Sequence, residues 1–275
     1  EIGDLERAEH HRQEAFNIAE KSGNRDQAAE FLAQLANVQM YRGRLADAVA
    51  TARYAAQMSP KGRRMALMVE AECHRAWGNW DDARNAALQA RTTSPMPEPM
   101  ETRSQGTLLL LLCWIEADSG NVFAARQYLE QARPVFEQDE KLRLWCEATH
   151  ARLAAMERQR DEAAAALGRV REGMERFQED RATQSLCASV SGLATYELDE
   201  YARSREWWEF YMRSTPHPVF QVMGLSYLGD CLLKLGDATA ARDAYQRALA
   251  YGIDSHRARI ARARLSELEG SAVGG

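Results

Sequence analysis

Lysine is nearly missing from this chain. Only Lys21, Lys61, Lys141 and Lys234 accompany the arginines among its 35 basic residues, a bias that fits a GC-rich, bacterial coding sequence. An excess of positive charge is missing as well. The formal net charge is −5, whereas a broad phosphate-binding surface requires surplus Lys and Arg, so the balance argues against nucleic acid as a partner. The longest apolar run, residues 108–115, has 8 residues, far short of the roughly 18–20 that span a membrane, and no membrane insertion is expected. Paired cysteines are missing too: Cys73, Cys113, Cys146, Cys187 and Cys231 are odd in number and widely spaced. That spacing excludes a disulfide framework or zinc ribbon and fits a reducing, cytoplasmic compartment.

The common enzyme motifs are lacking. No Gly-rich phosphate loop, His-Glu-x-x-His pair or Gly-x-Ser-x-Gly elbow occurs, so the chain is expected to be non-catalytic and to carry no cofactor. Cys146 and His150 stand one helical turn apart and form at most half a metal site; without a second pair, core packing is the better reading, and no metal is expected. Acidic doublets such as Asp81-Asp82 and Asp161-Glu162 follow turns, where carboxylates favour a helix start rather than acid–base chemistry. No charged-then-apolar leader follows Glu1, and the expectation is a piece of a larger multidomain protein.

What the chain has instead is a repeat. In YLGDCLLKLGDATAARDAYQRALAYGID (227–254), Gly229 lies seven residues before Gly236, Ala241 five after, Tyr245 nine after and Ala248 twelve after. Apolar residues recur with helical spacing on both sides of Gly236, which therefore punctuates two amphipathic helices. The same offsets from Gly43 find Ala36, Ala48 and Ala55; from Gly78, Ala71, Ala83 and Ala90; from Gly120, Cys113, Ala125, Leu129 and Ala132. A weaker copy centres near Arg158, with Ala151, Ala163 and Leu167, and another near Leu198, its register open by one residue. Gly3, with Ala8 and Ala15, matches only the second half of the pattern, so the first repeat is expected to be incomplete. Small residues at fixed offsets let paired helices approach closely, and neighbouring hairpins must stack to complete a core.

Residues 227–254 resemble a tetratricopeptide repeat, matching its Leu-Gly, Leu-Gly-Asp, Ala, aromatic and Ala-Leu elements, and the copies at Gly43 and Gly78 keep the closing proline, Pro60 and Pro95. The units are longer than the family's usual ~34 residues, a style similar to the superhelical arrays of large bacterial signalling proteins. The resemblance implies an all-α, right-handed superhelical solenoid of antiparallel helix pairs with about six to seven repeats, over residues 1–253. A capping helix is expected at 254–269, headed by Asp254 or Ser255, with its arginines Arg257, Arg259, Arg262 and Arg264 solvated; a flexible tail follows at 270–275, and 94–106 is expected to protrude as a loop.

The resemblance also implies that first helices line a concave face, at positions 13, 10, 6 and 3 before each turn residue. Carried onto this chain, that gives Glu30, Asn37 and Met40; Met65, Met68, Glu72 and Arg75; Thr107, Leu110 and Trp114; Trp145 and Arg152; and Met223, Asp230 and the neighbouring Lys234. Methionine and tryptophan interleaved with acids suit a protein or peptide segment with hydrophobic anchors and some Arg or Lys. Asn37, Arg75 and Lys234 are too scattered for the family's grip on a terminal carboxylate. The function expected is a non-catalytic protein-interaction scaffold; the alternatives are a regulatory array controlling an attached ATPase, kinase or DNA-binding domain, and pentatricopeptide-like RNA binding, which the acidic charge disfavours. Self-association through exposed end faces stays open. Of the pair in REWWEFYM (205–212), Trp208 is assigned to the core and Trp207 to a partner contact.

Overall fold

A computed structural model describes residues 4–93 and 100–273, with side chains described through Gly270. Among the described residues there are fourteen α-helices, one 3-10 turn and no strand. They form two compact units, residues 1–120 and 121–275. The first holds α1 (Leu5–Lys21), α2 (Arg25–Tyr41), α3 (Leu45–Met58), α4 (Pro60–Trp77), α5 (Trp80–Arg91) and α6 (Met100–Asp118). The second holds α7 (Val122–Val135), α8 (Glu140–Met156), α9 (Arg160–Met174), α10 (Arg181–Glu197), α11 (Tyr201–Ser214), α12 (Pro218–Lys234), α13 (Ala238–Ala250) and α14 (His256–Val273).

The helices begin where the sequence supplies a cap. Asp4, Asn24, Asn121, Asp139, Asp180 and Asp237 each accept a hydrogen bond from the backbone N–H three residues on, and Pro60 and Pro218 open α4 and α12. Helix pairs are joined by tight turns with one left-handed residue, at Gly43, Gly78, Gly120, Arg158, Asp199 and Gly236. In the Gly43 turn its N–H reaches the carbonyl of Met40 and that of Arg44 reaches Gln39, a pairing repeated at Arg158, Asp199 and Gly236. This geometry closes the orphan carbonyls at a helix end and favours glycine, because a Cβ at positive φ crowds the backbone.

The fifth turn corrects the register read from sequence: its left-handed residue is Asp199, φ 63°, rather than Leu198. Counted from Asp199, the offsets land on Gly192, Ser204, Trp208 and Tyr211, all buried. They match Gly229, Ala241, Tyr245 and Ala248 of the last repeat. In both copies a glycine on the first helix admits a large ring from the second: a Cβ built on Gly192 would lie 2.8 Å from Trp208 Cε2, and one on Gly229 would lie 2.4 Å from Tyr245 Cε1. Two glutamines confirm the alignment. Gln184 and Gln221, each fifteen residues before its turn, donate their side-chain amides to the carbonyls of Met174 and Met212, at the end of the preceding helix.

The position nine residues after the turn carries a ring in the two copies whose facing residue is glycine. Alanine occupies it at Ala52 and Ala87, leucine at Leu129 and Leu167, and a ring at Trp208 and Tyr245, each at most 3% exposed. Gly229→Ala is therefore expected to cost about 1–3 kcal/mol by overpacking, because the Tyr245 ring is anchored through its hydroxyl to Asp230 Oδ1 at 2.7 Å. Urea denaturation measures it; a loss within error of zero would mean that the ring moves aside freely.

Several expectations change in the structure. Residues 100–106 belong to α6 rather than to a protruding loop, and 94–99 lie outside the described residues, as does Gly3. The last helix runs His256–Val273, past the end expected at 269, and its start is headed by Ser255, whose Oγ accepts the Ala258 N–H at 3.2 Å. All five cysteines lie on first helices, α4, α6, α8, α10 and α12, and are buried thiols outside any disulfide. Burial pushes the thiols up, to about 12 for Cys146 and Cys187 and about 11 for Cys231, which makes them inert hydrophobes.

Candidate functional site

In the first unit α4 packs on α2 and contacts α6, so the three first helices run side by side. Helical spacing then decides which of the predicted face residues reach the surface. Glu30 and Met65 are exposed, and Asn37, Met68, Glu72, Arg75, Thr107 and Trp114 are half-buried. Met40 and Leu110 are buried and belong to the core. Met68 packs beside Leu67, Ala90 and Leu108.

Four of these residues converge with two that the sequence reading missed. Arg75 Nε donates to Asp118 Oδ2 at 2.7 Å and its Nη1 to Glu72 Oε2 at 3.0 Å, while its guanidinium carbon stands 5.7 Å from the centre of the Trp114 ring. Asn37 hydrogen-bonds to the Tyr41 hydroxyl, and burial, with Glu72 nearby, pushes the Tyr41 phenol up. Burial works against the charge of Arg75, yet Asp118 and Glu72 outweigh it and hold the guanidinium above ordinary arginine. The cluster links α2, α4 and α6 on one face, combining an aromatic wall, two carboxylates and one guanidinium. Tyr41 and Asp118 each sit two residues before their turn glycine; that shared offset was the available signal.

In the second unit the predicted face residues do not converge in this way. Trp145 is half-buried, its indole N–H donating to Thr183 Oγ1 at 3.3 Å and Lys141 lying 5.6 Å from its ring. Met223 is half-buried beside Tyr227 and Phe220, and Lys234 is exposed, 5.9 Å from the Tyr201 ring. Arg152 and Asp230 are buried, at 4% and 8% exposure. Asp230 faces inward because Arg257 of α14 reaches it: the two form an ion pair, Tyr245 donates to the other carboxylate oxygen, and Arg257 lies 3.6 Å over the Tyr227 ring. Arg257 therefore departs from the solvated face expected for the terminal arginines, whereas Arg259, Arg262 and Arg264 are exposed.

Of the tryptophan pair, Trp208 is fully buried, stacked on Tyr227 at 4.6 Å and edge-on to Tyr211 at 5.5 Å. Trp207 is half-buried against the cluster of Val170, Cys187 and Val190, with Arg171 5.8 Å from its ring. His150 pairs with Glu162 at 2.9 Å, and burial together with Arg133 holds its imidazole below the usual histidine range. Among the described residues no group of three His, Cys, Asp or Glu side chains could hold a metal ion, and no helix is long and apolar enough to cross a membrane.

The paired helices, the left-handed turn residues and the repeated small-residue contacts define a tetratricopeptide-like helical repeat. Solved structures agree. A tetratricopeptide repeat protein from Parabacteroides merdae ATCC 43184 matches 96% of this chain and 99% of its own, with TM-score 0.59 and 16% identity. NprR in complex with its cognate peptide NprX matches 89% of this chain and 70% of its own, with TM-score 0.60 and 11% identity. The APC/C hetero-tetramer Cut9-Hcn1 matches 94% of this chain and 46% of its own, with TM-score 0.59 and 14% identity. No family model and no curated protein matches the sequence.

Proposed function

We propose that this chain is a non-catalytic interaction scaffold that binds a protein or peptide segment, with the face of α2, α4 and α6 as its recognition surface and the cytoplasm as its compartment. The observation that carries this reading is the Trp114, Glu72, Arg75 and Asp118 cluster: half-buried, joined by side-chain contacts across two helices and flanked by the exposed Met65. Such a surface supplies an aromatic anchor, an adaptable apolar patch and directional polar groups, the combination that dominates peptide recognition. The partner segment carries hydrophobic anchors and Arg or Lys, because Glu30, Glu72 and Asp118 outnumber Arg75 on this face. NprR, a protein of similar fold, is a peptide complex in its solved form, which supports the reading by analogy of fold alone.

Random-peptide display on the wild type and on Trp114→Ala tests it, after melting curves establish that both fold. Enriched peptides should weaken at least about tenfold in the variant, the loss of one hot-spot anchor. Enrichment that survives Trp114→Ala unchanged would move recognition off this face.

A further inference from the structure

Building on that interaction reading, we propose that the α4–α6 cluster is an arginine-reading site in which Arg75 occupies the place of a partner's guanidinium and so acts as the specificity-determining residue of this face. Two carboxylates that hold one planar cation at its edges, with an indole beside it, are the chemistry that distinguishes arginine from other side chains. Here Asp118 takes Nε, Glu72 takes Nη1, and Trp114 supplies the π-face. The two carboxylates come from different helices, so the place exists between α4 and α6 whether or not Arg75 fills it. With Arg75 in it the trio carries one net negative charge; with Arg75 swung out it carries two, beside a tryptophan.

The last repeat supplies an independent precedent within this chain. Asp230 stands six residues before Gly236, as Glu72 stands six before Gly78. Asp230 also binds a guanidinium backed by an aromatic ring, but that group belongs to Arg257 of α14, a helix outside its own hairpin. The repeat position thus accepts an arginine delivered by another element, and at Glu72 the chain fills it from one turn further along α4. Exchange trades the ion pairs of Arg75 with Asp118 and Glu72 for those of an incoming guanidinium and needs no backbone rearrangement between the helices, Arg75 itself being 23% exposed.

The test empties the place. Arg75→Met is melted in methylguanidinium chloride and in matched sodium chloride, beside the wild type. The expected result is a saturable rise in Tm for the variant alone, together with an Arg enrichment in displayed peptides at least about tenfold above wild type. Equal shifts in both salts, or unchanged or weaker Arg enrichment, overturn the proposal. Should Arg75→Met fold only with methylguanidinium present, that supports it. Should it fold in neither salt, Glu72→Gln decides, since Arg75 keeps Asp118 there: reduced Arg enrichment upholds the site and unchanged enrichment overturns it. Failure of the interaction reading looks different, because then no peptide depends on Trp114.

Discussion

Trp208→Ala should destabilise the protein by about 3–5 kcal/mol, the cost of removing a fully buried indole and leaving a cavity. The site cannot collapse cheaply. Gly192 offers no side chain to fill the space, Tyr227 is stacked flat on the indole with an interplanar angle of 5°, and Tyr211 meets its edge. Three helices, α10, α11 and α12, therefore lose contacts at once. Trp207→Ala one residue earlier should cost about 1–2 kcal/mol, since that ring is only half-buried and gains a modest amount from Arg171. Chemical denaturation of both variants gives the comparison directly. Equal losses would mean that the second unit does not depend on the Gly192–Trp208 contact.

Replacing Arg257 by methionine should cost about 3–5 kcal/mol, because breaking one side of a buried ion pair strands the other charge. Asp230, buried at 8% exposure, would keep only the Tyr245 hydroxyl of its two side-chain partners named above. The loss should be largely recovered in the Arg257→Met/Asp230→Asn double variant, since the stranded charge is then gone. A double-mutant cycle with no coupling would show that the pair is incidental to the docking of α14 on α12 and α13. The same cycle separates a structural arginine from the exposed Arg259, Arg262 and Arg264, whose removal should change stability by less than about 0.5 kcal/mol.

The repeat was legible because its chemistry is local. Small residues five after a turn and seven before it belong to one hairpin, while the one twelve after it, such as Ala90 or Ala248, packs towards the next element, so a fixed spacing along the chain marks each repeat. Gly236 and Gly78 announce their turns because glycine suits positive φ. Asp199 was harder to place because a non-glycine residue pays for the same conformation and leaves no compositional mark, yet Gly192 seven residues earlier carried the register. On the candidate face, helical spacing correctly brought Glu72, Arg75 and Trp114 to one surface. Asp118, 43 residues from Arg75, was missed because only its offset from Gly120 marked it, and the pairing with Arg75 is made across two helices.

The sequence by itself determined the all-α class, the helix pairing and the placing of the cysteines on first helices, all set by periodicity and by contacts within a hairpin, while the Asp199 turn settled that Trp208 is the core member of its pair. Only the tertiary structure decided that Asp230 faces inward to Arg257 while Glu72, at the same repeat position, stays at the surface. The reason is physical: a side chain's offset from its turn fixes its direction on the helix, but its burial depends on what the next element brings against it. At Asp230 that element is α14 with its arginine. At Glu72 it is α6, which brings a carboxylate and an indole and leaves the face open.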